Sequence, residues 1–238
     1  MGDEMTGKGI ILTRSAMANP RTVGRALQWL LFGIVISFLL PSNSRAEERK
    51  TMIFIGDSIT AGFGLDPDEA YPALIQTKID TAHLPWRVVN AGISGDTTAG
   101  GLRRLDWILR QQVNLVVIEL GANDGLRGIA PAVTQANLKT MIERLRKREP
   151  DIAIVLAGMQ VPTNLGPDHT RQFAAIYPTL AKECHVSLIP FLLEGVGGHP
   201  ELNQADSIHP TAEGHTKLAE TVWSTVEPLL KAPAKAQP

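Results

Sequence analysis

Short apolar runs alternate with stretches of helical spacing along the chain from Met52 onward. Met52–Ile55 is continuous and β-branched rather than alternating, the pattern of a strand covered on both faces. It ends in Gly56-Asp57-Ser58, with Ala61-Gly62-Phe63-Gly64 just after. Tyr71–Ala82 predicts a helix, with Leu74, Ile75 and Ile79 on one side. Trp86–Asn90 predicts a second strand that runs into Ala91-Gly92-Ile93-Ser94-Gly95-Asp96. Thr97 or Thr98 can cap the next helix, whose Leu102, Leu105 and Leu109 recur at i, i+3, i+7. Asn114–Leu120 is the most strand-like run and ends in Gly121-Ala122-Asn123-Asp124-Gly125. Pro131–Arg148 predicts an amphipathic helix, with Leu138, Met141, Ile142 and Leu145 inward and a basic end that suits the helix dipole. Ile152–Ala157 follows as a fourth strand, Gln160–Pro167 as a loop, Thr170–Glu183 as a helix and Val186–Ile189 as a fifth strand. A long glycine-containing connection, Phe191–Pro210, leads to a last helix with Leu218, Val222, Val226 and Leu229 on one face.

Strand and helix alternate throughout, without an internal repeat. The pattern predicts a single α/β domain over residues 47–230: three layers, α/β/α, around a five-stranded parallel sheet. A doubly wound, flavodoxin-like strand order of 2-1-3-4-5 is expected. Residues 231–238, rich in alanine, proline and lysine, predict a frayed tail.

The first 46 residues read differently. Arg21 and Arg25 precede an apolar run, Ala26–Leu40, and Ser44 and Ala46 occupy the small positions of a cleavage site. Gln28, Gly33 and Ser37 interrupt a run already short of the roughly 20 residues of a membrane span. Export with cleavage after Ala46, into the periplasm or medium, is expected. Met17 would give a leader of more ordinary length than Met1. Removing residues 1–46 takes five of the 23 basic groups and two of the 24 acidic ones, leaving 18 against 22. No basic excess points to nucleic acid. The single cysteine, Cys184, excludes an internal disulfide and a cysteine-rich metal cluster.

Four clusters fall at predicted C-terminal strand edges or in the last long loop: Gly56-Asp57-Ser58, Ser94-Gly95-Asp96, Gly121-Ala122-Asn123-Asp124 and Asp206-Ser207-Ile208-His209-Pro210. Acyl transfer by serine needs a nucleophile, a base, a group that orients the base and donors facing the oxyanion. Ser58 can be the nucleophile, His209 the base and Asp206 its orienting carboxylate. Gly95 offers a backbone N–H free of a side chain, and the Asn123 amide offers a second donor. Each cluster alone is weak, and an ordinary turn explains Gly-Asp-Ser by itself. All four, in order on alternating elements, are specific.

In these four blocks the chain resembles the SGNH hydrolases, or GDSL esterases and lipases, over Met52–Leu229. Gly95-Asp96-Thr97 and Gly121–Gly128 bring it nearest the exported arylesterase, lysophospholipase and acyl-CoA thioesterase I branch. The first block ends in Ile59 instead of leucine, and Thr163-Asn164-Leu165 departs from the branch's usual Pro-Asn-aromatic loop. The resemblance implies Ser58, Asp206 and His209 as a triad, an oxyanion hole from Ser58 N–H, Gly95 N–H and the Asn123 side chain, and no metal or cofactor. It also implies an acyl ester or thioester substrate, small or lipid, with contact to a membrane only through that substrate.

Rival readings are fewer. Gly92-Ile93-Ser94-Gly95-Asp96 lacks the second glycine of a nucleophile elbow. His209 and His215 lack the further ligands a zinc site needs. The other histidines (His83, His169, His185, His199, His215) read as surface or loop residues, and Asp57 as a stabiliser of the turn at Ser58. A carbohydrate O-acetylesterase and a non-catalytic lipid or glycan binder remain as alternatives.

Overall fold

The computed structural model describes residues 49–162 and 165–232. The expected leader, the tail beyond 232 and the Thr163-Asn164 departure lie outside the described residues. Strand β1 (Lys50–Gly56) is followed by the single turn α1 (Ser58–Ala61), α2 (Tyr71–Thr81), β2 (Trp86–Gly92) and α3 (Thr98–Ile108). Next come β3 (Leu115–Glu119), the short α4 (Ala122–Leu126), α5 (Pro131–Arg148), β4 (Ala153–Ala157), α6 (Pro167–Cys184), β5 (Ser187–Ile189) and α7 (Ala212–Lys231). All five strands are parallel, in the expected doubly wound order β2-β1-β3-β4-β5. Helices α2 and α7 pack together on one face; α3, α5 and α6 pack in series on the other.

The central strands are apolar on both sides because both sides are covered. Met52, Ile53, Phe54 and Ile55 of β1, and Leu115, Val116, Val117 and Ile118 of β3, are fully buried. Each such side chain contributes about 1.5–3 kcal/mol by leaving water. β2 is an edge strand, and its half-exposed pattern reflects that.

Helix boundaries follow local chemistry. Thr97 is the cap of α3, its side chain accepting from Gly100 N–H, which settles the choice between Thr97 and Thr98. α6 starts at Pro167, three residues before the expected Thr170, because proline is well suited to the first helical turn, where no N–H is needed. α7 runs to Lys231, one residue into the segment expected to fray.

Strand order reverses at β1, whose neighbours are β2 and β3. The carboxyl ends of these three strands therefore open a crevice at the reversal point. Ser58 follows β1, Gly95 follows β2 and Asn123 follows β3.

Candidate active site

Ser58 is the first residue of α1. Asp57 caps that turn, with its Oδ1 accepting the Ile59 N–H at 3.0 Å. The turn is wedged against the end of β2. Asn90 Nδ2 donates to Thr60 O at 2.8 Å, and a Cβ on Gly92 would lie 2.4 Å from Ala61 N, so only glycine permits this approach. Ser58 thus projects from a braced corner instead of a loose loop.

The base comes from 151 residues away. His209 Nε2 lies 2.8 Å from Ser58 Oγ, and His209 Nδ1 lies 2.6 Å from Asp206 Oδ2. Asp206 Oδ1 also accepts the backbone N–H groups of Ile208 and His209, at 2.9 and 3.0 Å. Ser207 takes a left-handed conformation, φ 59°, to fold the segment back on its own aspartate. These contacts hold the Asp206 carboxyl well below the usual carboxylate range: the His209 N–H first, then the His209 ring and the Ile208 N–H. The carboxylate is exposed to solvent. Gln204 joins this loop to the serine side, its Nε2 donating to Phe63 O at 2.7 Å and to Pro210 O at 3.0 Å. The Phe63 ring sits 4.5 Å from the His209 ring and packs against the imidazole.

Two further groups face the crevice. Asn123 Nδ2 donates one hydrogen to Asp57 Oδ2 at 3.0 Å, which fixes the amide and leaves its second N–H free. Next to it, buried Asp124 accepts from the Thr98 N–H at 2.9 Å and from the Thr98 hydroxyl, pinning α4 to the start of α3. Gly95 has φ +78°, a backbone shape that side chains disfavour. Arg127, just past α4, donates to Gly95 O at 2.9 Å, so the two predicted oxyanion donors are tied to each other. Among the described residues, neither Ser58 N–H nor Gly95 N–H donates to a protein acceptor.

Beneath the serine lie two buried acids. Glu119 ends β3, and its Oε2 accepts from Asp57 N–H at 3.2 Å and from the Thr60 hydroxyl at 2.7 Å. Its Oε1 has no partner among the described residues. Burial, reinforced by the Asp57 charge, raises the Glu119 carboxyl well above its ordinary range. Burial likewise pushes Asp57 up, from 3.8 to about 6, against the opposing hydrogen bonds from Ile59 and Asn123. A carboxyl that binds its proton more tightly when folded adds stability below its unfolded pKa and loses it as pH rises through the folded one. For Asp57 that window runs from about pH 4 to about pH 6 and corresponds to about 3 kcal/mol. Asp57→Asn cannot ionise. Its stability relative to the wild type should therefore rise by about that amount between pH 3.5 and pH 7.5. Urea unfolding at the two pH values reads it; a pH-independent difference contradicts the elevated Asp57.

Residues 54–217 match the model of the GDSL-like Lipase/Acylhydrolase family. The chain belongs to this family. Esterase TesA of Pseudomonas aeruginosa is 44% identical over 202 residues, 84% of this chain and 98% of the relative. Thioesterase 1/protease 1/lysophospholipase L1 of Escherichia coli strain K12 is 37% identical over 81% of this chain and 91% of the relative. A crystal structure of TesA superposes with a TM-score of 0.72 at 45% identity, covering 76% of this chain and 99% of that one.

In this member of the GDSL-like family, Ser58, His209 and Asp206 meet through direct hydrogen bonds, and Asn123 reaches the same corner through Asp57. Gly95 joins through its loop, whose Ile93 N–H donates to Gly56 O at 3.0 Å. Asp57 does more than stabilise the turn, since it also holds Asn123. One expectation fails. His215 is not at the surface but buried on α7, where its Nδ1 accepts the Tyr71 N–H at 3.0 Å. Burial, with the nearby His209 charge, pushes it down to about 4, so it is a neutral packing residue at pH 7. The signal was there: His215, Leu218, Val222 and Val226 share one helical stripe. Glu119 and Gln204 carry no motif and went unmarked in the sequence, while Asp124 and Arg127 lie within the third block and its extension without a role assigned to them.

Proposed function

We propose that this chain hydrolyses carboxylic ester or thioester bonds through an acyl-Ser58 intermediate. The observation that carries the reading is the run of contacts from Ser58 Oγ to His209 Nε2, 2.8 Å, and from His209 Nδ1 to Asp206 Oδ2, 2.6 Å. His209 takes the hydroxyl proton as Oγ attacks the acyl carbon. Asp206 keeps the ring oriented and steadies the imidazolium that forms. Ser58 N–H, Gly95 N–H and the Asn123 amide receive the developing oxyanion. His209 then protonates the departing alcohol or thiol. Water, activated by the same imidazole, releases the acid and restores Ser58.

The names of the two relatives point to esters, thioesters and lysophospholipids as the substrate range. Four exposed apolar side chains favour chains longer than acetyl. Phe63 packs on His209, Ile208 precedes it, Ile93 lies two residues before Gly95 and Leu126 three after Asn123. Hydrolysis of p-nitrophenyl esters should accordingly rise from acetyl to medium-length acyl groups; a strict preference for acetyl would favour a carbohydrate O-acetylesterase instead. A fluorescent organophosphonate should label the protein once per chain at Ser58, located by peptide mass spectrometry. An ester that binds but is neither cleaved nor displaced by the phosphonate would mark a non-catalytic binder. We further propose that residues 1–46 form a cleaved export signal and that the enzyme works in the periplasm or outside the cell. N-terminal sequencing of the protein recovered from the periplasmic and culture fractions tests this, with Glu47 as the expected first residue.

A further inference from the structure

Arg104, on the second turn of α3, bears none of the four motif blocks, yet its guanidinium joins three segments of the crevice. Nε donates to Asp96 Oδ2 at 2.7 Å, Nη1 to Ala91 O at 2.6 Å and Nη2 to Gly56 O at 3.1 Å. Asp96 directly follows Gly95, Ala91 lies near the end of β2, and Gly56 is two residues before Ser58. The Gly56 carbonyl also accepts the Ile93 N–H that begins the Gly95 loop. One planar cation thus grips the strand end carrying the nucleophile and both ends of the loop carrying the Gly95 donor.

The environment makes this grip count. The side chains of Arg104 and Asp96 are only 15% and 12% exposed, so water screens the pair far less than it screens a surface ion pair. Asp96 in turn lies close over Gly100, where a Cβ would meet its Oδ1. The contact is therefore set by the packing of α3. Lysine, a point charge on a flexible stem, cannot reproduce the three-way fork. Without it, the exposed Gly95 loop keeps its internal turn, Asp96 N–H to Ile93 O at 3.0 Å, but is tied to the rest of the crevice through the Ile93 hydrogen bond and the exposed Arg127.

We infer that Arg104 is a positioning residue for the hydrolysis: it sets the Gly95 N–H at hydrogen-bonding distance from the oxygen that becomes negative when Ser58 attacks. This rests on the acyl-serine reading above. Oxyanion donors act only within a few tenths of an ångström of their proper place, and a displacement of about 1 Å costs roughly 10²-fold. The oxygen draws on that donor far more in the transition state than in the bound ester, so the loss falls on kcat and leaves KM nearly unchanged.

The test uses the wild-type enzyme, Arg104→Ala and Arg104→Lys on a p-nitrophenyl acyl ester, each corrected for the fraction folded by circular dichroism. Ser58→Ala is measured alongside, so that failure of the acyl-serine reading is seen separately as unchanged turnover in that variant. Arg104→Ala should lose about 30- to 100-fold in kcat with KM within about threefold, and Arg104→Lys should recover only part of it. Arg104 lines an open hollow of about 510 Å³, so guanidinium at non-denaturing concentration can enter the vacated space and should restore kcat about tenfold. A purely structural arginine would show lower melting temperature without this rescue. If Arg104→Ala does not fold, Asp96→Asn, which keeps the shape and removes the charge partner, should lower kcat about tenfold at constant KM. A folded Arg104→Ala or Asp96→Asn with wild-type kcat, or a loss confined to KM, overturns the inference.

Discussion

Ser58→Ala should lower turnover of acyl esters by about 10⁴-fold or more, and His209→Ala by a similar factor. The two belong to one proton-transfer unit, since Nε2 lies 2.8 Å from Oγ. Removing the hydroxyl leaves no atom to acylate; removing the imidazole leaves a hydroxyl that stays protonated. The double variant should therefore be scarcely worse than either single one, because each already abolishes the shared step. Neither change should disturb the fold greatly. The hydrogen bond of Ser58 Oγ is to His209, and the His209 backbone is still held by Gln204, whose N–H donates to His209 O at 2.7 Å. Steady-state kinetics with phosphonate labelling checks this. A Ser58→Ala protein as active as the wild type would falsify the assignment.

Asn123→Ala should cost roughly 10²–10³-fold, or about 3–4 kcal/mol of transition-state stabilisation. Here KM should hardly move, because the amide serves the charged oxygen more than the neutral carbonyl. The change also takes from Asp57 one of its hydrogen bonds, since Asn123 Nδ2 donates to Oδ2. Asn123→Asp should be worse still: it keeps the volume but sets a second carboxylate beside Asp57 and beside the developing negative oxygen. Single-turnover acylation rates for the three proteins order them, and an aspartate variant faster than the alanine one would remove Asn123 from the oxyanion role.

Much of this architecture was legible because burial writes itself into runs of residues. Met52–Ile55 and Asn114–Leu120 announce covered strands, and the alternation of elements announces a parallel sheet, though not by itself the reversal of order at β1. The four motif blocks are contiguous and appear at strand ends, so the reacting groups could be named. What stayed hidden are polar side chains whose meaning lies in a distant partner. Arg104 reads as one more exposed helical arginine until Gly56, Ala91 and Asp96 are folded around it. Glu119 looks out of place at the end of an apolar strand, and only its contacts with Asp57 and Thr60 explain it. Gln204 lies in a long connection without periodicity, although it fastens that connection to Phe63. His215 was misread because a ring that packs inward and a ring that faces water look alike in a list of letters.

The 151-residue gap between nucleophile and base has a bearing on biosynthesis. All five strands are complete at Ile189, before the chain has reached either Asp206–His209 or α7. Hydrolysis must wait for Asp206–His209 to swing in and for α7 to seal behind it. A nascent or prematurely terminated product is thus catalytically silent, however well its strands have formed.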